Sequence, residues 1–159
     1  MENKITTEKV PDFLIIGAQK SGTTSMHEYL KTHPEIYMSS PIKEPGLFLP
    51  FDHMQKYFSK FFNLNLNSRE QLIQKCVLSE YHGERIFGES STYYTITDMS
   101  RSFDIPKKIF EANPKMKLIY CIRNPLSRMV SHYLHCIKRG YTKSPLNKEL
   151  SVKRDYLLT

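Results

Sequence analysis

The chain has 159 residues, 40% of them hydrophobic, 25% charged and 12% aromatic, which predicts a single globular domain with a real core and excludes a disordered or collagen-like chain. No apolar run approaches the ~18 residues of a membrane span, and the polar stretch from Met1 to Pro11 lacks the apolar segment of a signal peptide, so a cytoplasmic protein is expected. The net charge of +7 is lopsided: residues 101–159 hold 13 Lys/Arg against 4 Asp/Glu and residues 1–100 hold 10 against 12, so the second part is expected to meet an anion, whether nucleic acid, acidic glycan or nucleotide.

A flexible arm, residues 1–10, leads into Phe13-Leu14-Ile15-Ile16. This uninterrupted apolar run suits a strand covered on both faces, as in a parallel sheet. The loop from Gly17 to Thr24 follows, and then a helix with Met26, Tyr29 and Leu30 on one face, closed by Pro34. Residues 35–53 read as an extended segment and a Pro-punctuated loop, and residues 54–80 as mostly helical with Tyr57, Phe58, Phe61 and Phe62 as apolar positions. A short strand at Ile86-Phe87-Gly88 runs into Glu89-Ser90-Ser91-Thr92-Tyr93-Tyr94. Another helix starts near Pro106 and stops at Asn113-Pro114, before a second buried strand, Leu118 to Ile122. Asn124 as N-cap and Pro125 as first residue open the last helix, whose apolar stripe is Leu126, Met129, Val130, Tyr133, Leu134 and Ile137. Its other face carries Ser127, Arg128, Ser131, His132 and His135 and is left for a ligand. Strands alternating with helices predict an α/β fold with a mainly parallel central sheet.

Gly17 and Gly22 have the G-x-x-x-x-G spacing of a P-loop, with Thr24 where the P-loop hydroxyl stands. Backbone N–H groups of such a turn and of the following helix N-terminus converge on a phosphate. The lysine is displaced: Thr23 follows the second glycine, and Lys20 lies inside the loop. No strand ends in an Asp for Mg²⁺, so the magnesium apparatus of a kinase is not visible. Arg123, at the end of the second strand, and Ser131, in the next helix, offer a second anion site on the same sheet edge. Pairing of Arg123 with a carboxylate is the equal alternative. Cys76, Cys121 and Cys136 lack C-x-x-C spacing and read as reduced thiols, while His132 and His135 lack a Glu or Cys partner at zincin spacing, so no metal site is expected.

These residues resemble the sulfotransferase family. The segment from Pro11 to Ser25 is similar to the family's 5′-phosphosulfate-binding loop, and Leu118 to Tyr133 to its 3′-phosphate-binding motif. Lys43-Glu44-Pro45-Gly46-Leu47-Phe48 and Gly88 to Tyr94 resemble two further motifs of the heparan-sulfate-like and bacterial branch, in family order. The resemblance implies a P-loop-like three-layer fold and transfer of a sulfuryl group, without metal, from 3′-phosphoadenosine 5′-phosphosulfate (PAPS) to a hydroxyl or amine of a glycan or similar acceptor. It further implies that Gln19, Lys20, Ser21, Gly22, Thr23 and Thr24 hold the 5′-phosphosulfate and Arg123 and Ser131 the 3′-phosphate. Lys20 would stabilise charge on the leaving phosphate, and Glu44 would be the general base. Tyr93 and Tyr94 are expected to pack rather than stack on adenine, and His132 and His135 to be surface or packing residues. Glycan-modifying members often carry Lys where this chain has Ser90. The family's domain normally runs on past this length. The chain is therefore expected to be its N-terminal part, incomplete at the C-terminus, with weak activity or none alone. On the residues by themselves, a P-loop nucleotide or small-molecule kinase and a basic polyanion- or nucleic-acid-binding module stay open.

Overall fold

The first apolar run forms β1 (Phe13–Gly17), and after the glycine loop the chain enters α1 (Thr23–Lys31). The structure, a computed structural model, describes residues 9–152, so most of the expected N-terminal arm and the closing segment from Lys153 to Thr159 lie outside the described residues. Next come β2 (Ile36–Met38), α2 (Phe51–Phe62) and α3 (Arg69–Leu72), which runs into a π-helical turn over Ile73–Val77. β3 (Ile86–Ser90) is followed by a 3₁₀ turn (Thr92–Thr95), α4 (Thr97–Ser102) and α5 (Ile105–Ala112). β4 (Lys117–Tyr120), α6 (Pro125–Lys138) and α7 (Leu146–Val152) complete the described chain.

The four strands pair in the order β2-β3-β1-β4, all parallel, so the expected α/β architecture with a parallel central sheet is what the residues build. Parallel strands need both faces covered, and two apolar clusters do this. One joins Leu14 and Phe87 to Phe58, Met54, Leu49 and Leu78; the other joins Phe13, Ile15 and Met38 to Leu30. Where β1 pairs in register with β3, the Phe13 ring lies over Gly88, and an added Cβ there would come within 2.2 Å of it.

Three elements differ from expectation. The strand read as buried, β4, is an edge strand with Leu118 and Tyr120 exposed, and Ile122 just beyond it is 84% exposed. In α1 the buried side chains are Thr23 and His27, while Tyr29 is 77% exposed; His27 is tolerated inside because its Nδ1 shares a 2.7 Å hydrogen bond with Ser90 Oγ. In α6 the orientation is reversed. Arg128, His132 and Cys136 are buried, and the predicted core positions Leu126, Val130, Leu134 and Ile137 are exposed. Periodicity defines a stripe but not the side it faces, and here the polar side turns inward over the ends of the strands. α4, which no local pattern announces, packs beside the 3₁₀ turn and α5.

Candidate functional site

Parallel strands bring all their C-terminal ends to one edge, and four connecting segments meet there. The first is the β1–α1 loop. Lys20 (φ 66) and Gly22 (φ 92) both take left-handed backbone, which folds the loop back on itself and sets Gly22 as the N-cap of α1. No side chain caps that helix. The first N–H groups of a helix have no intrahelical partner, so this end is ready for an anion. A Cβ at Gly22 would meet nothing within 4 Å, leaving open space above the cradle. Ser21 Oγ is buried with no hydrogen-bond partner among the described residues. A buried hydroxyl without a partner marks a demand that a ligand oxygen would meet.

The end of β4 closes this loop from the other side. Ala18 N–H donates to the Cys121 carbonyl (2.9 Å), and the Arg123 guanidinium donates to the Lys20 carbonyl (3.3 Å). Among the described residues no carboxylate forms an ion pair with Arg123, whose side chain is exposed beside the loop. Ser131 is half-buried on α6.

The segment after β2 supplies a carboxylate. Glu44 Oε1 pairs with Lys43 Nζ at 2.8 Å, and Glu44 Oε2 accepts from Thr92 Oγ1 at 3.1 Å. Lys43 Nζ also reaches Thr23 Oγ1 at 3.5 Å, which links Glu44 to the first turn of α1. Gly46 N–H donates to Ser91 Oγ (2.9 Å) and Phe48 N–H to the Tyr94 hydroxyl (3.3 Å), so the segment after β3 clamps the segment after β2. Tyr94 is a core residue, and Tyr93 lies half-buried at the cleft, in edge contact with Tyr57.

Between these segments and α6 lies a cleft of about 580 Å³. Gln19, Lys43, Glu44, Thr92 and Tyr93 line one wall and Arg128, His132, His135 and Arg139 the other, with Phe61, Phe62 and Tyr141 also contributing. Burial, then Arg128, His135 and Lys20, lower the His132 imidazole to about 4; burial and then Lys20 lower His135 as well. Burial and then Lys43 and Lys31 bring His27 to about 4. These rings are therefore neutral at neutral pH, and the positive charge of the cleft is carried by its lysines and arginines. Among the described residues no group of three His, Cys, Asp or Glu could hold a metal ion.

The structure thus joins Gln19 and Glu44 in one cleft and ties Arg123 to the Lys20 backbone, whereas Arg123 and Ser131 do not line that cleft. The sequence reading missed Lys43, Thr92 and Arg139. The polar face of α6 that the sequence leaves for a ligand does line the cleft through Arg128, His132 and His135, and Arg139, at i+11 from Arg128, extends the same stripe.

A family model described as a sulfotransferase domain matches residues 10–155. The chain belongs to the sulfotransferase family. It is 29% identical over 130 residues to human bifunctional heparan sulfate N-deacetylase/N-sulfotransferase 2, and 31% identical over 133 residues to human bifunctional heparan sulfate N-deacetylase/N-sulfotransferase 3. Each match covers 82% of this chain and 13% of the relative. A solved structure of a sulfotransferase from Alicyclobacillus acidocaldarius superposes with a TM-score of 0.70 at 25% identity, over 94% of this chain and 59% of that one. The sulfotransferase chain accordingly has the P-loop-like fold, and it spans only a small part of the curated relatives it matches. Among the described residues no helix is long and apolar enough to cross a membrane.

Proposed function

We propose that this chain carries the donor-binding half of a PAPS-dependent sulfuryl transfer to a hydroxyl or amine of a glycan or similar acceptor. The observation that carries the reading is the chain of contacts from Glu44 through Lys43 to Thr23, which links a carboxylate to an uncapped helix N-terminus beside the unpartnered Ser21 hydroxyl. The relatives named for N-sulfotransferase activity on heparan sulfate make an anionic glycan the first acceptor to try.

The donor supplies a sulfuryl group and a phosphate that leaves with the electron pair of the broken S–O bond. The residues of the loop would bind it: the N–H groups of Gly22, Thr23 and Thr24 and the hydroxyls of Ser21, Thr23 and Thr24 on the 5′-phosphate, with Gln19 beside them. Lys20 would hold its ammonium where negative charge grows, and preorganised donors of this kind lower the barrier without reorganisation. Arg123 and Ser131 would hold the 3′-phosphate. Glu44, fixed by Lys43 and Thr92, would take the proton from the acceptor oxygen or nitrogen, a role typically worth ~10²–10⁴-fold.

The test is a titration of 3′-phosphoadenosine 5′-phosphate (PAP) against AMP and against ATP with magnesium, followed by calorimetry. Tight PAP binding that weakens about tenfold or more in Lys20→Ala and in Arg123→Ala is expected. PAP binding no better than AMP would overturn the proposal.

A further inference from the structure

Glu89 is the one carboxylate among the described residues with 0% exposure, and nothing in the reaction above uses it. It stands on β3 in register with Leu14 of β1, in the middle of the sheet. Oε1 accepts a hydrogen bond from Ser91 Oγ, and Oε2 has no partner among the described residues. The same Ser91 oxygen accepts the Gly46 N–H at 2.9 Å, and Gly46 is two residues from Glu44. Gly46 itself has little freedom to compensate. Its φ is +64, and an added Cβ would lie 2.7 Å from Met54 Sδ.

We infer that Glu89 is a positioning residue: by orienting the Ser91 hydroxyl it fixes the Lys43–Phe48 segment and so holds Glu44 at the cleft. A hydroxyl has one proton and two lone pairs. With its proton committed to Glu89, Ser91 Oγ presents a lone pair to the Gly46 N–H, and the rotor is locked. Without that acceptor the hydroxyl turns and the Gly46 bond loosens, while the loop keeps its Ser39–Lys43, Lys43–Thr23, Thr92–Glu44, Arg69–Leu47 and Phe48–Tyr94 contacts. The groups facing Glu89 are Ser91 and Tyr94 from its own segment and Glu44 and Lys43 from the neighbouring loop, while His27 of α1 engages the adjacent Ser90. Burial, reinforced by the charge of Glu44, pushes the Glu89 carboxyl up to about 8 against the opposing Ser91 and Tyr94 hydroxyls and Lys43. The neutral acid is therefore the form at neutral pH, and a carboxamide of the same shape can replace it. A second anion so near Glu44 would disturb the base, and neutrality avoids this.

The role of Glu44 in transfer rests on the reading above, but the coupling of Glu89 to Gly46 is measurable without turnover. Amide hydrogen exchange at Gly46 is followed by NMR in the 159-residue chain carrying Glu89→Gln, Glu89→Asp, Ser91→Ala or Ser91→Ala with Glu89→Asp. Glu89→Gln is expected to exchange as the unsubstituted chain does. Glu89→Asp, one methylene short of Ser91, and Ser91→Ala are each expected to exchange about tenfold faster, with the double variant no faster than Ser91→Ala alone. PAP affinity should stay within about twofold throughout, because neither Glu89 nor Ser91 contacts the phosphate loop directly. Gly46 exchange that accelerates in Glu89→Gln, or stays unchanged in Glu89→Asp, would overturn the inference. Failure of every variant and of the unsubstituted chain to bind PAP would instead count against the proposed function and leave the Gly46 result to stand by itself.

Discussion

At the residue scale, Glu44 and Lys20 separate two tasks that one cleft combines. Glu44 contacts Lys43 and Thr92 but not the loop from Gly17 to Gly22. Glu44→Gln is therefore expected to leave PAP affinity within about twofold while lowering sulfuryl transfer by ~10²–10⁴-fold, read by calorimetry and by transfer of labelled sulfate. Lys20→Ala is expected to lower both. A fall in PAP affinity equal to the fall in transfer would deny Glu44 the part of a base. Gly88 gives a prediction of another kind. It has no unusual φ, and its role is space: the Phe13 ring occupies the place a Cβ would take. Gly88→Ala forces that ring or β3 to move, and overpacking of this sort costs roughly 1–3 kcal/mol, visible as a lower urea midpoint at unchanged slope. A midpoint within error of the unsubstituted chain would mean that the Phe13–Gly88 pair of β1 and β3 is not close-packed.

At the scale of elements, α6 is the clearest test. The Asn124 side chain accepts the Ser127 N–H at 3.1 Å, so the expected N-cap is in place, and Asn124→Ala should cost about 1 kcal/mol in chemical unfolding. Leu134 lies on the stripe a helical wheel assigns to the core, yet it is 57% exposed. Leu134→Lys should therefore stay within ~0.5 kcal/mol, whereas Phe58→Ala, at a fully buried position, should cost ~3–5 kcal/mol. Equal losses at the two positions would mean that Leu134 is covered. The same helix explains what the sequence could and could not disclose. Strands, caps and the glycine loop are local events, governed by apolar runs, Asn-Pro and the special backbone of Gly22, and those were legible. The facing of α6 and the exposure of β4 depend on which neighbours the fold supplies at the sheet edge, and no local pattern encodes that. The candidate site divides in the same way. Lys20, Glu44 and Arg123 stand in short motifs, but the clamp from Ser91 to Gly46 joins residues 45 positions apart and exists only once β2 and β3 are paired.

For the whole molecule, the buried ionisable groups fix how stability follows pH. His27 and His132 are lowered from 6.5 to about 4 in the folded chain, so between these values the unfolded state binds more protons and stability rises with pH. Glu89 is raised from 4.5 to about 8, so across that window the folded state binds the extra proton and stability falls as pH rises. From 4.5 to 6.5 the two histidines, with His135 lowered beside them, outweigh the one carboxylate, and above 6.5 the carboxylate is the one of these groups that still acts. Thermal unfolding midpoints should therefore climb to a maximum near pH 6.5 and then decline toward pH 8. The declining limb belongs to a single group, which makes it separable. Glu89→Gln removes the titration and keeps the shape, so its midpoints should rise more steeply on the acid side, where the carboxylate no longer opposes the histidines, and level off above pH 6.5. Midpoints of the two chains that run parallel from pH 6.5 to 8 would show that Glu89 is ionised in the folded state, and the uncharged sheet centre would have to be given up.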